Sequence, residues 1–437
     1  MPPVPKWYDE ERKPTKELPP AFQGAPSFIN KAFWEKERTE RFRIAVEQWA
    51  MYGFGVPPIL GSIYVIKMLV FFCAFYFFIL PKADTWIEAL GRFAVLAVWI
   101  EGLGLSAGWG PLAGKTVCMT TAYHHFVRPG TIKLPSIPLF NPKANVLGLP
   151  CTRNILDVLA YIVTIGFATW LPFADTASTQ RWAVIPGQWS PLPILIGMLY
   201  FGFADRTVYV AVRADYYLPY MIVFSFLPTA HQLAAAQWVI LCVWLGAGLS
   251  KVGPWFDYVT GVMLSNSFTM RIVSIRRALY NFEAKSWANP KGKGSKASLD
   301  ALPASLFCRL LTAFGAATEI LFPTSLAIGG AFKLPGLVVG VLFHAYIMSN
   351  VPVAVPTEWN VYVVTVACFC FHPTSPDFFD GIGPMISSHP LVALAIAFIC
   401  IFIPLLGNVD PSKVGFLCAY RYYAGNWPYN IYLQCQL

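Results

Sequence analysis

Three ionisable side chains, Glu101, Glu319 and His344, lie within apolar segments that are long enough to cross a lipid bilayer. An ionised group in hydrocarbon costs several kcal/mol, so such residues persist where they face a bundle interior or a water-filled cavity. Both glutamates lie too deep in their segments to reach the headgroups. We therefore expect each to be neutral, to contact water, or to pair with a cation such as Lys67 or Arg309.

A larger set of polar residues falls at the ends of several segments, at the membrane boundary that is assigned below to the cytoplasm. The set comprises Asp205, Arg206, Lys251, Asp257, Asn350, Glu358 and Asn360. In a functional interpretation, it lines a cavity open to the cytoplasmic leaflet, where burial and neighbouring charges tune a lysine or a glutamate for proton transfer. In a structural interpretation, these residues form ion pairs between helices or extend to the headgroups. The sequence leaves both interpretations open.

The functional interpretation gives catalytic roles to four residues. Lys251 is expected to act as a base or as the partner of an anion, and Glu101 lies deeper in the bundle. Glu358 and Asp205 are expected to act as acids or orienting groups. The residues predicted to bind a cofactor or ligand are Arg206, Glu319, His344, Trp359 and Asn360. The identity of the cofactor is left open.

The sequence does not support metal-dependent or nucleotide-dependent chemistry. The six histidines form no HxxxH or HxxHH box of the kind that diiron membrane enzymes use. The adjacent His124 and His125 project in different directions and make a poor pair of metal ligands. No metal site is predicted, and the chain contains no complete P-loop and no GxGxxG motif.

Composition places the chain in a membrane. Of 437 residues, 56% are hydrophobic and only 13% are charged, against about 25% charged residues in an ordinary soluble domain. The mean hydropathy is +0.53. The net charge of +9 gathers in residues 1–43, 115–153 and 271–296, between apolar segments. That distribution indicates membrane topology rather than nucleic-acid binding, and no nucleic-acid partner is predicted.

The apolar segments predict an all-α, polytopic bundle of about ten transmembrane helices. An even number of spans places both termini on one side, and the three basic segments then fall on that same side. By the positive-inside rule, both termini are cytoplasmic. The predicted spans are 57–80, 87–109, 153–173, 190–206, 208–228, 231–252, 303–329, 335–354, 359–372 and 389–407.

This topology divides the chain into three parts. The first is a cytoplasmic N-terminal segment with an amphipathic interfacial helix, the second is the transmembrane domain, and the third is a short cytoplasmic tail. Two GxxxG patterns, at Gly104–Gly108 and Gly336–Gly340, predict close contact between helices. The parts cover residues 1–55, 56–408 and 409–437, and the basic cytoplasmic loops of the second part cover 110–152 and 253–302.

Four motifs carry a family resemblance. They are WLGAGLSK at 244–251, MLSN at 263–266, VPTEWNV at 355–361 and RYYAGNW at 421–427. In this order they resemble an uncharacterised family of multi-pass membrane proteins that is common in mycobacteria and other actinobacteria. The resemblance covers roughly 40–427 and implies architecture rather than activity. Members continue past the last motif into a soluble domain; if that domain carries an activity, this chain is expected to lack it.

A more distant similarity is to the vitamin-K-dependent carboxylase-like transmembrane superfamily. The shared features are a small-residue helix that ends in Ala-Gly-Leu-x-Lys before a Trp/Phe segment, here 247–256, and later helices that carry Glu319 and His344. That superfamily includes enzymes that use quinones. The similarity therefore raises the interest of Lys251, but it is too loose to transfer a catalytic residue.

These observations favour an integral membrane protein that binds or modifies a lipid-soluble small molecule, such as a lipid or a quinone. The expected location is the cell membrane or an inner membrane, and the expected partners are membrane lipids and the lipid-soluble ligand. A non-catalytic subunit or scaffold, bound to other membrane-protein subunits, is the main alternative. A transporter is a further alternative, and the sequence does not decide whether the protein is an enzyme.

Overall fold

The computed structural model describes residues 35, 58–105, 122–133, 152–252, 256–265, 272–280, 304–349 and 357–409. The predicted N-terminal segment, the C-terminal tail and most of the basic loops lie outside the described residues. Within the described ranges, helices and turns account for the backbone, apart from two isolated β-bridges, Ile132–Thr152 and Tyr280–Ala304. The predicted all-α class is therefore confirmed for this part of the chain.

Fifteen helices are labelled here, and several of them carry irregular extensions. α1 continues through a π-helical segment, Ala74–Ile79, into a 3-10 turn, and a second π-helical segment, Phe398–Phe402, joins α14 to α15. The labels are α1 (Pro58–Cys73), α2 (Trp86–Gly102), α3 (Ile155–Trp170), α4 (Leu192–Ala204), α5 (Arg206–Ala211), α6 (Ala214–Phe226), α7 (Thr229–Ser250), α8 (Phe256–Ser265), α9 (Val273–Ala278), α10 (Leu306–Ile328), α11 (Lys333–Ser349), α12 (Thr357–Cys370), α13 (Phe378–Ser388), α14 (Pro390–Ala397) and α15 (Ile403–Val409).

Five helical segments of the described chain are long and apolar enough to cross a membrane. A sixth span arises if α13 and the following Pro390–Leu406 segment, which meet at 116°, count as one. Two further apolar helices, Leu192–Ala204 and Asn360–Cys370, are shorter. The five segments are Val65–Lys82, Ile155–Phe173, Thr229–Leu249, Leu306–Ile328 and Gly330–Ser349. A membrane protein with several spanning helices is thus supported, while the count of ten stays a prediction.

Local sequence explains where several helices begin. Asn154 accepts a hydrogen bond from the backbone N–H of Asp157, and the Asp157 carboxylate accepts one from the Asn154 N–H, which together form a capping box at the start of α3. Thr85 and Ser305 cap α2 and α10 through their hydroxyl oxygens. These caps satisfy N–H groups that would otherwise lack partners at a helix start.

α7 is the central helix of the bundle and packs against α2, α6, α10, α12 and α13. Of its membrane-crossing stretch, 61% is buried, compared with 17% for the stretch that begins in α1, so α1 lies at the periphery. The largest buried side chains around α7 are aromatic and include Trp244, Tyr217, Tyr362 and Phe224. Packing around α7 therefore fixes the positions of the helices that carry the polar residues.

Small residues set two close helix contacts. A Cβ on Gly336 would lie 3.0 Å from the carbonyl oxygen of Phe322, and one on Gly340 would lie 3.0 Å from the Phe322 ring, so α11 packs closely on α10 as its GxxxG pattern predicts. Gly104, in contrast, follows the end of α2 in a turn with φ +71. Its role is conformational, because this region of φ favours glycine, and Gly108 lies outside the described residues.

The turn between α10 and α11 is fastened to the turn between α12 and α13 by a buried lysine. The Lys333 ammonium donates to the Ser375 carbonyl at 2.7 Å and lies 2.6 Å from the Asp377 carboxylate. The Asp377 carboxylate also accepts the N–H of Gly330 at 3.1 Å. The hydrogen bond from Lys333, ahead of the one from Gly330, lowers the pKa of Asp377 below its ordinary value.

The packing of α4 on α3 can be tested with Gly197. A Cβ there would collide with Oγ1 of Thr164 and would lie 2.7 Å from its Cγ2, so Gly197→Ala is expected to destabilise the protein by about 1–3 kcal/mol. Gly166→Ala on α3 is the control, because nothing lies within 4 Å of its added Cβ. Thermal unfolding in detergent measures both. Equal unfolding temperatures for the two variants would contradict this contact.

The Lys333–Asp377 contact predicts a pH dependence. Because the pKa of Asp377 is lowered in the folded protein, its contribution to stability is present above the unfolded pKa and is lost as pH falls through the folded pKa. The unfolding temperature of the wild type should therefore fall more steeply on acidification than that of Asp377→Asn. Parallel curves for the two proteins below pH 4, near the ordinary value of 3.8, would show that the contact contributes nothing.

Candidate functional site

The structure brings four of the predicted site residues to one junction of α7, α10, α11 and α12. Lys251 caps the end of α7, Glu319 lies within α10, His344 lies within α11 and Asn360 lies near the start of α12. Glu319, His344 and Asn360 are 3%, 1% and 0% exposed. Polar groups at this depth require partners, and the side chains supply them to one another.

A buried hydrogen-bonded chain crosses three of these helices. The indole N–H of Trp244 donates to Nε2 of His344 at 2.8 Å, and Nδ1 of His344 lies 2.9 Å from Oδ1 of Asn360. Because Nε2 accepts, the proton of a neutral imidazole sits on Nδ1 and is donated to the amide oxygen. His344 is therefore held as one neutral tautomer, with both ring nitrogens engaged. This arrangement positions the ring and leaves neither nitrogen available to a metal ion.

An ion pair joins α7 to α10 next to this chain. The Lys251 ammonium contacts Oε2 of Glu319 and lies 5.6 Å from the centre of the Phe256 ring. Lys251 follows the last residue of α7, where the carbonyl end of the helix dipole favours a cation. The lysine side chain is 20% exposed, whereas the glutamate side chain is 4% exposed. The pair can exchange a proton internally and can present one charged partner to a ligand from the exposed side.

The ion pair and the hydrogen-bonded chain form one continuous site. Trp244 and Lys251 are seven residues apart, about two turns, so they project from the same face of α7. Glu319 and Phe322 are about one turn apart on α10, and the Phe322 ring lies 4.9 Å from the Trp244 ring. This aromatic contact therefore connects the helix faces that carry the charged pair and the neutral chain.

Sequence reasoning missed Trp244 and Phe322. Both are aromatic residues in apolar segments, and such residues ordinarily belong to the core. One available signal was the spacing of seven between Trp244 and Lys251, which places the indole on the face that carries the lysine. The other was the buried indole N–H, which needs an acceptor.

Asp205 lies at the same end of the bundle as Lys251 but belongs to a different cluster. α6 and α7 are joined by a two-residue turn and pack together, so the start of α6 and the end of α7 share one end of the bundle. Asp205 accepts hydrogen bonds from the guanidinium of Arg153 at 2.6 and 3.1 Å and from the hydroxyl of Thr207. Its oxygens are engaged in fastening loop 122–133 and α3 to α4, which favours a structural role.

Glu101 lies in the last turn of α2 and is 6% exposed. Of the two cations proposed as partners of the deep glutamates, Lys67 donates to the Leu105 carbonyl and Arg309 lies 3.8 Å from Asp257. The backbones of three further predicted residues are described while their side chains are not. These are Arg206 at the start of α5, and Glu358 and Trp359 in the first turn of α12, just before Asn360.

The coupling between Trp244 and His344 can be measured with a double-mutant cycle. His344→Leu removes the acceptor of the buried indole N–H, and Trp244→Phe removes the donor, so each single change should lower stability. The double variant should be about 0.5–3 kcal/mol more stable than the sum of the two single losses of stability predicts, since the two residues interact directly. Thermal or denaturant unfolding in detergent gives the four stabilities. Strict additivity would show that this hydrogen bond is not formed.

The comparisons with known proteins concern nearly the whole chain. A family model described as "Transmembrane protein of unknown function (DUF3556)" matches residues 23–435. No curated protein and no solved structure matches the chain. The sequence prediction of an uncharacterised membrane-protein family agrees with this match. With all but the two ends of the sequence covered, and with several helices able to cross a membrane, the chain belongs to the DUF3556 family of transmembrane proteins.

Proposed function

We propose that this protein binds a lipid-soluble small molecule, such as a lipid or a quinone, at the end of the bundle that carries Lys251. The Lys251 ammonium holds the polar group of the ligand. Where that group carries an acidic proton, Glu319 takes the ammonium proton of Lys251, and the neutral amine then takes the proton of the ligand. The Trp244–His344–Asn360 chain lies beside the pair and fixes the geometry of the three helices that support it. Glu358, Trp359 and Arg206 belong to the same end by their place in the chain.

The exposure of Lys251 is the observation that carries this proposal. Four other basic side chains lie 2.6–2.7 Å from an acidic partner in the described chain, and each is almost fully buried, with 0%, 1%, 2% and 3% exposure for Arg92, Lys133, Arg153 and Lys333. Arg213 and Arg309 lie farther from their partners, at 3.7 and 3.8 Å, and are 12% and 62% exposed. Lys251 is 20% exposed while its partner is buried. In Lys333–Asp377 the accessible partner is the aspartate, which is 34% exposed, whereas in Lys251–Glu319 it is the cation. An accessible cation beside a buried carboxylate is the arrangement that can receive the polar group of a ligand.

The topology belongs to the proposal as well. The protein crosses a cell membrane or an inner membrane ten times, and both termini lie in the cytoplasm. This topology places Lys251 near the cytoplasmic leaflet. The shorter helices α2, α4, α6 and α12 must then count as crossings, each supported by packing in the bundle. A lipid-soluble ligand would reach the ion pair laterally from that leaflet.

Two pairs that are almost fully buried on both sides favour a second candidate, a non-catalytic subunit or scaffold of a membrane complex. In this protein, ion pairs such as Lys133–Asp157 and Arg153–Asp205 connect separate structural elements. For a scaffold, Lys251–Glu319 would be one more structural contact of this kind. The two candidates predict different consequences when the lysine is removed while the fold is kept.

The test compares Lys251→Ala with Lys333→Ala in protein purified gently in mild detergent. Lys333 is the matched control, because it is also a lysine in an ion pair, here with Asp377. It lies at the start of α11, at the end of the bundle opposite to Lys251. Native mass spectrometry should find a lipid or quinone retained by the wild type and by Lys333→Ala, and about tenfold less of it on Lys251→Ala. Both variants should keep the wild-type elution volume.

Two outcomes would overturn the proposal. One is equal retention of small molecules by folded Lys251→Ala and by the wild type. The other is a wild type that carries no retained small molecule and is purified as a tight hetero-complex, which favours the scaffold.

Lys251→Arg keeps the charge, but its planar guanidinium and high pKa do not replace a lysine in proton transfer. Retention without turnover in that variant would separate binding from chemistry.

A further inference from the structure

Two histidines from distant parts of the chain meet at the end of α7 opposite to Lys251. His231 lies in the first turn of α7, and His389 lies at the corner between α13 and α14. The centres of their imidazole rings are 5.1 Å apart, with an angle of 68° between the ring planes. Both side chains are partly exposed. About 30 Å of helix separates His231 from Lys251, so this pair is independent of the proposed lipid site.

The backbone holds both histidines in place. The N–H of His231 donates to the carbonyl of Pro228 at 2.8 Å. The N–H of His389 donates to the carbonyl of Met385 at 2.9 Å, and its own carbonyl accepts the N–H of Ala393 at 3.0 Å. α13 also lies tightly on α7, because a Cβ on Gly381 would come within 2.9 Å of Ala234. Both histidines therefore belong to packed helical elements, which hold their backbones in fixed positions.

In the part of the chain that the structure describes, no protein group is hydrogen-bonded to a ring nitrogen of the pair. Within the described residues, neither imidazole forms a hydrogen bond, and the contact between the two rings is the interaction that each one makes. His344 differs, because both of its nitrogens are engaged. Partly exposed imidazoles with available nitrogens are the commonest protein ligands for metal ions.

The ring spacing fits a shared ion. Two imidazoles bound to one tetrahedral ion, each with a metal–nitrogen distance of about 2.0–2.1 Å, place their ring centres about 5 Å apart. The torsion between Cβ and Cγ of a histidine is broad, so either ring can turn a nitrogen toward the other without moving the backbone. No cluster of three or more His, Cys, Asp or Glu residues occurs in the described chain, so the proposed site has two described protein ligands and leaves the other coordination positions to water.

We propose that His231 and His389 bind one divalent transition-metal ion, of the Zn²⁺ or Cu²⁺ type, that links the start of α7 to the corner between α13 and α14. Imidazole nitrogens suit both ions, and two protein ligands give an open site of moderate affinity. The ion braces the 116° corner, because it joins that corner to the central helix. No change in redox state is involved.

The test uses the full chain in detergent, purified with a tag that contains no histidine, and Zn²⁺ as the probe. The wild type should bind one Zn²⁺ with micromolar affinity by calorimetry, and its unfolding temperature should rise with Zn²⁺. His231→Gln and His389→Gln should each weaken binding about tenfold or more. His372→Gln is the control, since His372 is exposed and its Nδ1 contacts the Thr374 hydroxyl, apart from the pair.

Equal Zn²⁺ affinity in all four proteins would overturn the site, as would a wild type that shows no Zn²⁺-dependent change in unfolding temperature. A measurement on the unaltered protein covers the case in which a variant fails to fold. Electron paramagnetic resonance of the Cu²⁺-loaded wild type should show hyperfine coupling to two imidazole nitrogens. A spectrum with coupling to one nitrogen or to none would refute the shared ion.

Discussion

A charged side chain that leaves water for the interior of a helical bundle must take an opposite charge with it, because desolvation otherwise exceeds any gain. This constraint organises the described part of the chain. Lys133–Asp157, Arg153–Asp205, Lys251–Glu319 and Lys333–Asp377 each join elements that are distant in sequence. Where these pairs meet determines which helix ends lie together. In Lys133–Asp157 and Arg153–Asp205 both partners are buried, so removal of one would leave a buried charge, and these pairs favour one arrangement of the helices.

The junction of α7, α10, α11 and α12 uses two different solutions to that constraint. Lys251 and Glu319 cancel each other's charge, whereas His344 stays neutral between one donor and one acceptor. A neutral chain costs less to bury than an ion, and its directional bonds fix the rotation of three helices. The charged pair can then respond to a ligand while the neighbouring chain holds the helices still.

Much of the fold follows from the sequence, because apolar length and charge are local properties. The presence of spanning helices, the all-α class and the burial of Glu319 and His344 were predictable in this way. The break between α5 and α6 was not, since Arg213 adopts φ 53, a conformation that local sequence disfavours for arginine. Nor does hydropathy decide whether a 13-residue apolar helix such as Leu192–Ala204 crosses the membrane or fills a core.

Partners in the site were harder to predict than positions. Lys67 and Arg309 were reasonable cations for the two deep glutamates, yet Glu319 pairs with Lys251, which lies 68 residues earlier in the chain. Asp205 pairs with Arg153 at the end of a basic loop, 52 residues away. Spacing within one helix defines a face, but the approach of two helices defines a pair. That approach depends on packing, which a single sequence does not display.

Gly248 shows how the sequence nevertheless encodes the Lys251–Glu319 pair. An added Cβ there would lie 2.7 Å from the Ile320 side chain and 3.2 Å from the carbonyl carbon of Glu319, so α7 and α10 approach closely only because this residue has no side chain. Three residues later, Lys251 follows the last turn of α7 and reaches across to Glu319. The small residues of Gly246–Gly248 are thus the geometric condition for the ion pair. The motif WLGAGLSK joins the indole donor, the close approach and the cation on one helix face.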